Sequence, residues 1–145
     1  MSKSRAASRN RAKPISKFRA ASRRRAKSIR EVLERYFAAM RARDWDALAE
    51  TLAEDVHRTG PFLDVVQGRE AYVKFLAGVI PALENYALDV ARIRALEDGA
   101  ALVELSESMD RGGRRETHPE ALLFEFDRDG RIARVDIFIQ RPPRA

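Results

Sequence analysis

Two spacings of hydrophobic residues divide this chain. From Ile29 to Met40 the apolar positions Ile29, Val32, Leu33, Tyr36, Phe37 and Met40 recur every three or four residues, the spacing of one helix face. Ser28 and Glu31 stand at Ser-x-x-Glu separation, which satisfies free N–H groups at a helix start. Asp44 is a good cap for a second helix, "WDALAETL", with Trp45, Leu48, Ala49 and Leu52 on one side. "REAYVKFLAGVI" reads as a third, with Tyr72, Phe75, Leu76 and Val79 together and Pro81 as its stop. The stretch between them, "AEDVHRTGPFLDVVQG", is broken by Gly60-Pro61 and ends in Gly68, so it reads as a loop.

After Pro81 the period drops to two. "YALDVARIRAL", "AALVELSESMD", "THPEALLFEFD" and "RIARVDIFIQ" read as four strands. Gly112-Gly113 and Asp129-Gly130 supply the hairpin turns. Helices first and strands afterwards predict an α+β fold: three N-terminal helices packed on a curved antiparallel four-stranded sheet. This domain is expected over residues 28–142, with residues 1–27 a basic arm.

Charge separates the two parts further. Of the 28 Lys and Arg, 12 lie within the first thirty residues, which hold no acid. The rest of the chain carries 16 cations against all 22 acidic residues, so the body is acidic and the basic balance belongs to the arm. The arm repeats itself: "RAASRNRAKPI" at Arg5–Ile15 returns as "RAASRRRAKSI" at Arg19–Ile29. A period of 14 is about four helical turns, so both copies could present similar faces. Few apolar residues accompany the charge, and Pro14 interrupts a helix joining the copies. A disordered or marginally helical arm is therefore expected, with the copy at Arg19–Ile29 able to extend the first helix. Its alternatives are non-specific contact with nucleic acid or an anionic membrane, or an Arg- and Ser-rich targeting peptide. The chain has no cysteine, which excludes disulfides, thiolate metal sites and a cysteine nucleophile. A cytoplasmic setting fits that composition, and no apolar run approaches the roughly 20 residues that span a bilayer.

Four stretches, "YFAAMRARDWDALAETLAEDV", "HRTGPFLDVVQG", "GREAYVKFL" and "LFEFDRDGRIARVDIFI", resemble the nuclear transport factor 2-like superfamily. It is the cone-shaped fold of SnoaL-like polyketide cyclases, ketosteroid isomerases and limonene epoxide hydrolases. The resemblance covers roughly residues 28–142. It implies a pocket for a small hydrophobic molecule and often a homodimer through the open sheet face. Ketosteroid isomerases place a base carboxylate before a proline and a protonated acid on the third strand. Here those places hold Gly60 and Leu122, which argues against that chemistry. Limonene epoxide hydrolases carry Glu-Arg-x-Asp on the second strand and an Asp on the last. "ESMDR" keeps Glu107 and Asp110 but has Ser108 for the arginine, and Asp136 matches the last acid. Their water-positioning Tyr-x-Asn corresponds to His57 and Thr59.

These residues make the candidate site. Leu102, Glu104, Ser106, Ser108 and Asp110 share one face of the second strand; His118, Glu120, Leu122, Phe124 and Phe126 share one of the third; Arg134, Asp136, Phe138 and Gln140 share one of the fourth. Asp136 inside the cone would be desolvated, and a second carboxylate would raise its pKa further. Asp136, Asp110 and His57 are thus the catalytic candidates. The opposing reading pairs Asp136 with Arg134, Arg114 or Arg115 on a solvated face. Trp45, Thr59, Phe62, Tyr72, His118, Glu120, Phe124 and Phe138 are the candidate ligand-binding residues. Asp64 reads as a loop-turn acid. No spacing matches a zinc signature, so neither metal nor cofactor is expected. Hydrolase, cyclase or isomerase chemistry stands against a non-catalytic binding or dimerising module.

Overall fold

In the computed structural model, residues 12–143 are described, with side chains from residue 16 onward. The first helix, α1 (Ala12–Ala42), starts well before Ser28. The boundary expected at residue 27 therefore runs through a helix interior, and the helical alternative for the arm holds from Ala12 onward. Arg, Lys and Ala are good helix formers. A helix nucleated where residues 29–40 dock also propagates cheaply into adjoining residues. Pro14 falls in the first turn, where its missing N–H is tolerated, and the Ser28–Glu31 capping box lies within the helix. Residues 5–11 of the first copy lie outside the described residues, and its last four open α1.

The α2 helix (Trp45–Glu50) is capped as its sequence predicts, the Asp44 carboxylate accepting the Ala47 N–H at 3.1 Å. What read as a loop contains two strands, β1 (Leu52–Thr59) and β2 (Val65–Gln67). The α3 helix (Arg69–Val79) comes next and tightens into a 3₁₀ turn at Ile80–Ala82. Strands β3 (Glu84–Ala95), β4 (Ala101–Arg111), β5 (Arg114–Phe126) and β6 (Ile132–Ile139) complete the chain. The sheet has six strands in the order β2-β1-β6-β5-β4-β3, with only the β1–β6 pair parallel. Four strands were legible because they alternate cleanly. β1 was not, because its inner face carries Arg58 beside Val56 and its outer face is polar.

The sheet curls over α1. Leu33, Tyr36, Phe37 and Phe124 are essentially solvent-free. Tyr36, Phe37 and Phe124 meet edge to face, with ring centroids 5.1, 5.7 and 6.1 Å apart, the arrangement the ring quadrupole favours. Since strand side chains alternate, an inward Phe124 also turns Leu122, Glu120 and His118 inward. Register does the rest: Phe124 opposes Ala101 and Val135, and Leu122 opposes Val103 and Ile137. The inner positions of β4 are thus Ala101, Val103, Leu105, Glu107 and Met109, and those of β6 include Val135 and Ile137.

Replacing Phe124 with Ala should therefore cost about 3–5 kcal/mol of stability. Chemical denaturation would show this as a lower midpoint; a loss below about 1 kcal/mol would mean the aromatic cluster does not hold α1 to the sheet.

Candidate functional site

Exposure along the inner face of β5 falls with distance from the β4–β5 turn. The side chains of Glu116 and His118 are 34% and 15% exposed. The next inward residues, Glu120, Leu122 and Phe124, are 7%, 5% and 0% exposed. Exposure on this face thus falls away from the β4–β5 turn, and aromatic packing fills the interior at depth. Glu107 lies opposite His118 and diagonal to Glu120 on this face.

Glu107 and Glu120 form a carboxyl pair. Burial, then the negative charge of Glu107 and a hydrogen bond to it, push the Glu120 carboxyl from 4.5 up to about 9. Burial and mutual repulsion thus favour a proton held between the two carboxyls, with Glu120 the more strongly raised. The Tyr86 hydroxyl also hydrogen-bonds Glu107, and burial together with that charge keeps it protonated far above the usual tyrosine range. Tyr86 sits 3.9 Å from the Met40 Sδ, so α1 forms the floor beneath this group.

A second polar chain crosses the interior from α1 to the β1–β2 loop. The Tyr36 and Tyr72 hydroxyls hydrogen-bond at 2.6 Å. Burial raises the pKa of both, offset at Tyr72 by its bonds with Tyr36 and Arg58. Arg58 is 7% exposed; its guanidinium stacks 4.5 Å from the Phe75 ring centroid and pairs with Asp64 at 3.2 Å. Its Nε is buried without a partner. Burial works against the ionised Asp64, but the Phe62 N–H, its own N–H and Arg58 together hold its pKa below the ordinary carboxylate range. Asp64 is thus the counter-ion of a buried cation as well as a loop-turn acid. Gly60 is required for this: a Cβ there would run into the Asp64 carboxylate. At the rim, the Arg141 guanidinium lies 4.7 Å from the Phe62 ring centroid and exerts a lowering influence on Glu120.

Of the candidates drawn from sequence, Tyr72, His118, Glu120 and Phe124 share this interior. Phe62 lies exposed at the tip of the β1–β2 loop, and Trp45 packs partly buried on the core from α2. Asp136 does not enter the cone. It opposes Leu123 and Thr59 on the outer face and pairs with Arg134 at 3.1 Å. Asp110 sits near the β4–β5 turn, bound by Asn85 and Arg115, which lower its pKa. The two acids do not converge. His57, bonded to Gln67 at 2.6 Å, Thr59, and Phe138, 61% exposed, also lie outside. Arg58, Tyr36 and Tyr86 were missed as interior polar residues, and Glu107 was matched to a motif without a role. The signal was present in β4, where Val103, Leu105 and Met109 are the apolar parity and Glu107 is its one acid.

The chain belongs to the SnoaL-like domain family, which it matches over residues 33–135. Solved structures agree on the cone fold. Bal32a from a soil-derived mobile gene cassette is 21% identical, with a TM-score of 0.70 covering 79% of this chain and 91% of its own. An LEH-like epoxide hydrolase of M. tuberculosis is 20% identical, with a TM-score of 0.67 covering 79% and 84%. SalBIII, an epoxide hydrolase/cyclase-like enzyme in pyran ring formation in salinomycin, is 22% identical, with a TM-score of 0.69 covering 79% and 92%. No curated protein matches the chain.

The buried carboxyl sets a pH dependence. Its folded-state pKa lies above its unfolded one, so between pH 4.5 and about 9 the folded state holds more proton. The stability Glu120 contributes is complete at low pH and lost as pH rises through that window. Glu120→Gln has no proton to lose. Its melting temperature relative to the unmodified protein should therefore climb steadily from pH 5 to pH 9. A constant gap across that range would show that Glu120 is ionised in the fold.

Proposed function

We propose that this protein binds a small hydrophobic molecule in the open end of the cone and acts on it by general acid–base chemistry through Glu107 and Glu120. The protonated, 7% exposed Glu120 against a second carboxyl carries the reading. A perturbed acid pair in a concavity is the usual signature of proton-transfer chemistry. Leu88, Leu105, Leu122 and Ile137 pack beside the pair, which suits the hydrocarbon part of a substrate.

An epoxide is the reaction class this pair serves best, in keeping with the epoxide hydrolase and the epoxide hydrolase/cyclase-like enzyme of similar fold. Glu120 gives its proton to the ring oxygen as the carbon–oxygen bond breaks. Glu107 takes a proton from water, or from a hydroxyl of the substrate, as that oxygen bonds to the carbon. The proton then returns from Glu107 to Glu120, leaving a diol or a cyclic ether. Tyr86 orients Glu107, and the Arg58 charge favours oxyanion character deeper in the cone.

A panel of hydrophobic epoxides, with diol and cyclic-ether formation monitored by chromatography, tests this. Glu107→Gln and Glu120→Gln should each lower kcat by about 10²- to 10⁴-fold while ligand-induced thermal stabilisation persists. Undiminished turnover in either variant would remove the carboxyl pair from the chemistry.

A further inference from the structure

The N-terminal part of α1 projects an acid-free basic surface away from the body. Lys17, Arg19, Arg23, Arg24, Lys27 and Arg30 are all exposed. At 100° per residue, Arg19, Arg23, Lys27 and Arg30 form one stripe at i, i+4, i+8 and i+11, and Lys17 and Arg24 lie together to one side of it. The stripe covers about 16 Å at 1.5 Å per residue. Its direction is fixed by the other side of the helix, where Ile29 enters the core. There Arg25 runs along the β3–β4 turn, its Cδ 3.6 Å from where a side chain on Gly99 would lie. The arc ends at Glu31, which Lys27 approaches at 4.0 Å, and at Glu34. Beyond Arg30 the chain is acidic on balance, 22 acids against 16 cations.

We infer that this face of α1 docks on the phosphate backbone of double-stranded nucleic acid, without sequence preference. A duplex carries one negative charge per about 1.7 Å of axis, so a 16 Å stripe spans about ten phosphates. Single strands are bound through aromatic platforms, and Phe18 is the one aromatic residue on the projecting helix. A membrane-surface helix needs a broad apolar face opposite its charges. Here that side carries Phe18, Ser22, Arg25 and Ala26 before the core begins. Among the described residues no helix is long and apolar enough to cross a membrane. The arginine-rich composition favours phosphate, which guanidinium forks grip in two-point geometry.

The test is fluorescence anisotropy of the full chain with a labelled 20-base-pair duplex of arbitrary sequence, titrated between 50 and 300 mM NaCl. Binding should weaken with a log–log salt slope between about −3 and −5, from roughly 0.9 per phosphate contact. R19E/R23E/K27E should lose at least tenfold in affinity, and R19K/R23K, which keeps the charge but loses the two-point grip, should lose less than that; circular dichroism verifies that both keep their helix. A salt-insensitive Kd, no binding at 50 mM, or full affinity in the charge-reversed variant would each overturn the proposal. So would co-sedimentation with phosphatidylserine vesicles in the absence of duplex binding, which would reassign the face to membranes.

Discussion

The inward placement of Phe124 against Tyr36 and Phe37 determines most of the interior. Once that ring is buried, the two-residue period of β5 leaves no choice about Glu120, which must also face inward. The neighbouring strands inherit their phase from backbone pairing. Val135 and Ile137 turn in beside Phe124 and Leu122, and Asp136 between them turns out. Val103 and Leu105 turn in on the other side and bring Glu107 with them. A desolvated carboxyl pair is thus a by-product of hydrophobic packing a few residues deeper. The fold tolerates it because one proton, Tyr86 and partial access to solvent relieve the charge.

Strand phase also decides which parts of the molecule were legible beforehand. The α1 stripe, the Asp44 cap, the glycine turns and the inner face of β5 are local patterns, and local physics decides them. The phase of β4 is not local. Both of its faces carry acids, and only the apolar parity of Val103, Leu105 and Met109 distinguishes them. Matching Asp110 to a familiar motif favoured the outer face instead. β1 was hidden for a related reason: a buried arginine at position 58 reads as a loop residue until its partners, Asp64 and Phe75, are known. Those contacts join separate elements, and no window of sequence contains them as a pattern.

Two polar systems therefore share one interior. The carboxyl pair stands on the β4–β5 turn side of the inner face, where exposure begins to rise. The Tyr36–Tyr72–Arg58–Asp64 chain lies across the helices and the β1–β2 loop and holds a cation in an otherwise greasy space. Asp64 keeps that cation paired from outside, so the interior gains positive potential without gaining a second interior anion. Glu120 feels this potential too weakly to lose its proton, since burial and Glu107 dominate. The two systems still feel each other: beyond burial, Glu107 raises the pKa of Tyr36 and Tyr72, and Arg58 acts to lower that of Glu120.

The unbroken course of α1 has a mechanical implication. One rod runs from the basic stretch to the floor beneath Tyr86, with no glycine or proline between Ile15 and Ala42 to act as a joint. The stretch emerges beside the β3–β4 turn, and the carboxyl pair opens at the opposite end of the sheet, toward the β4–β5 turn. Anything that grips the handle also aims the cup, and it leaves the rim facing outward for whatever diffuses past.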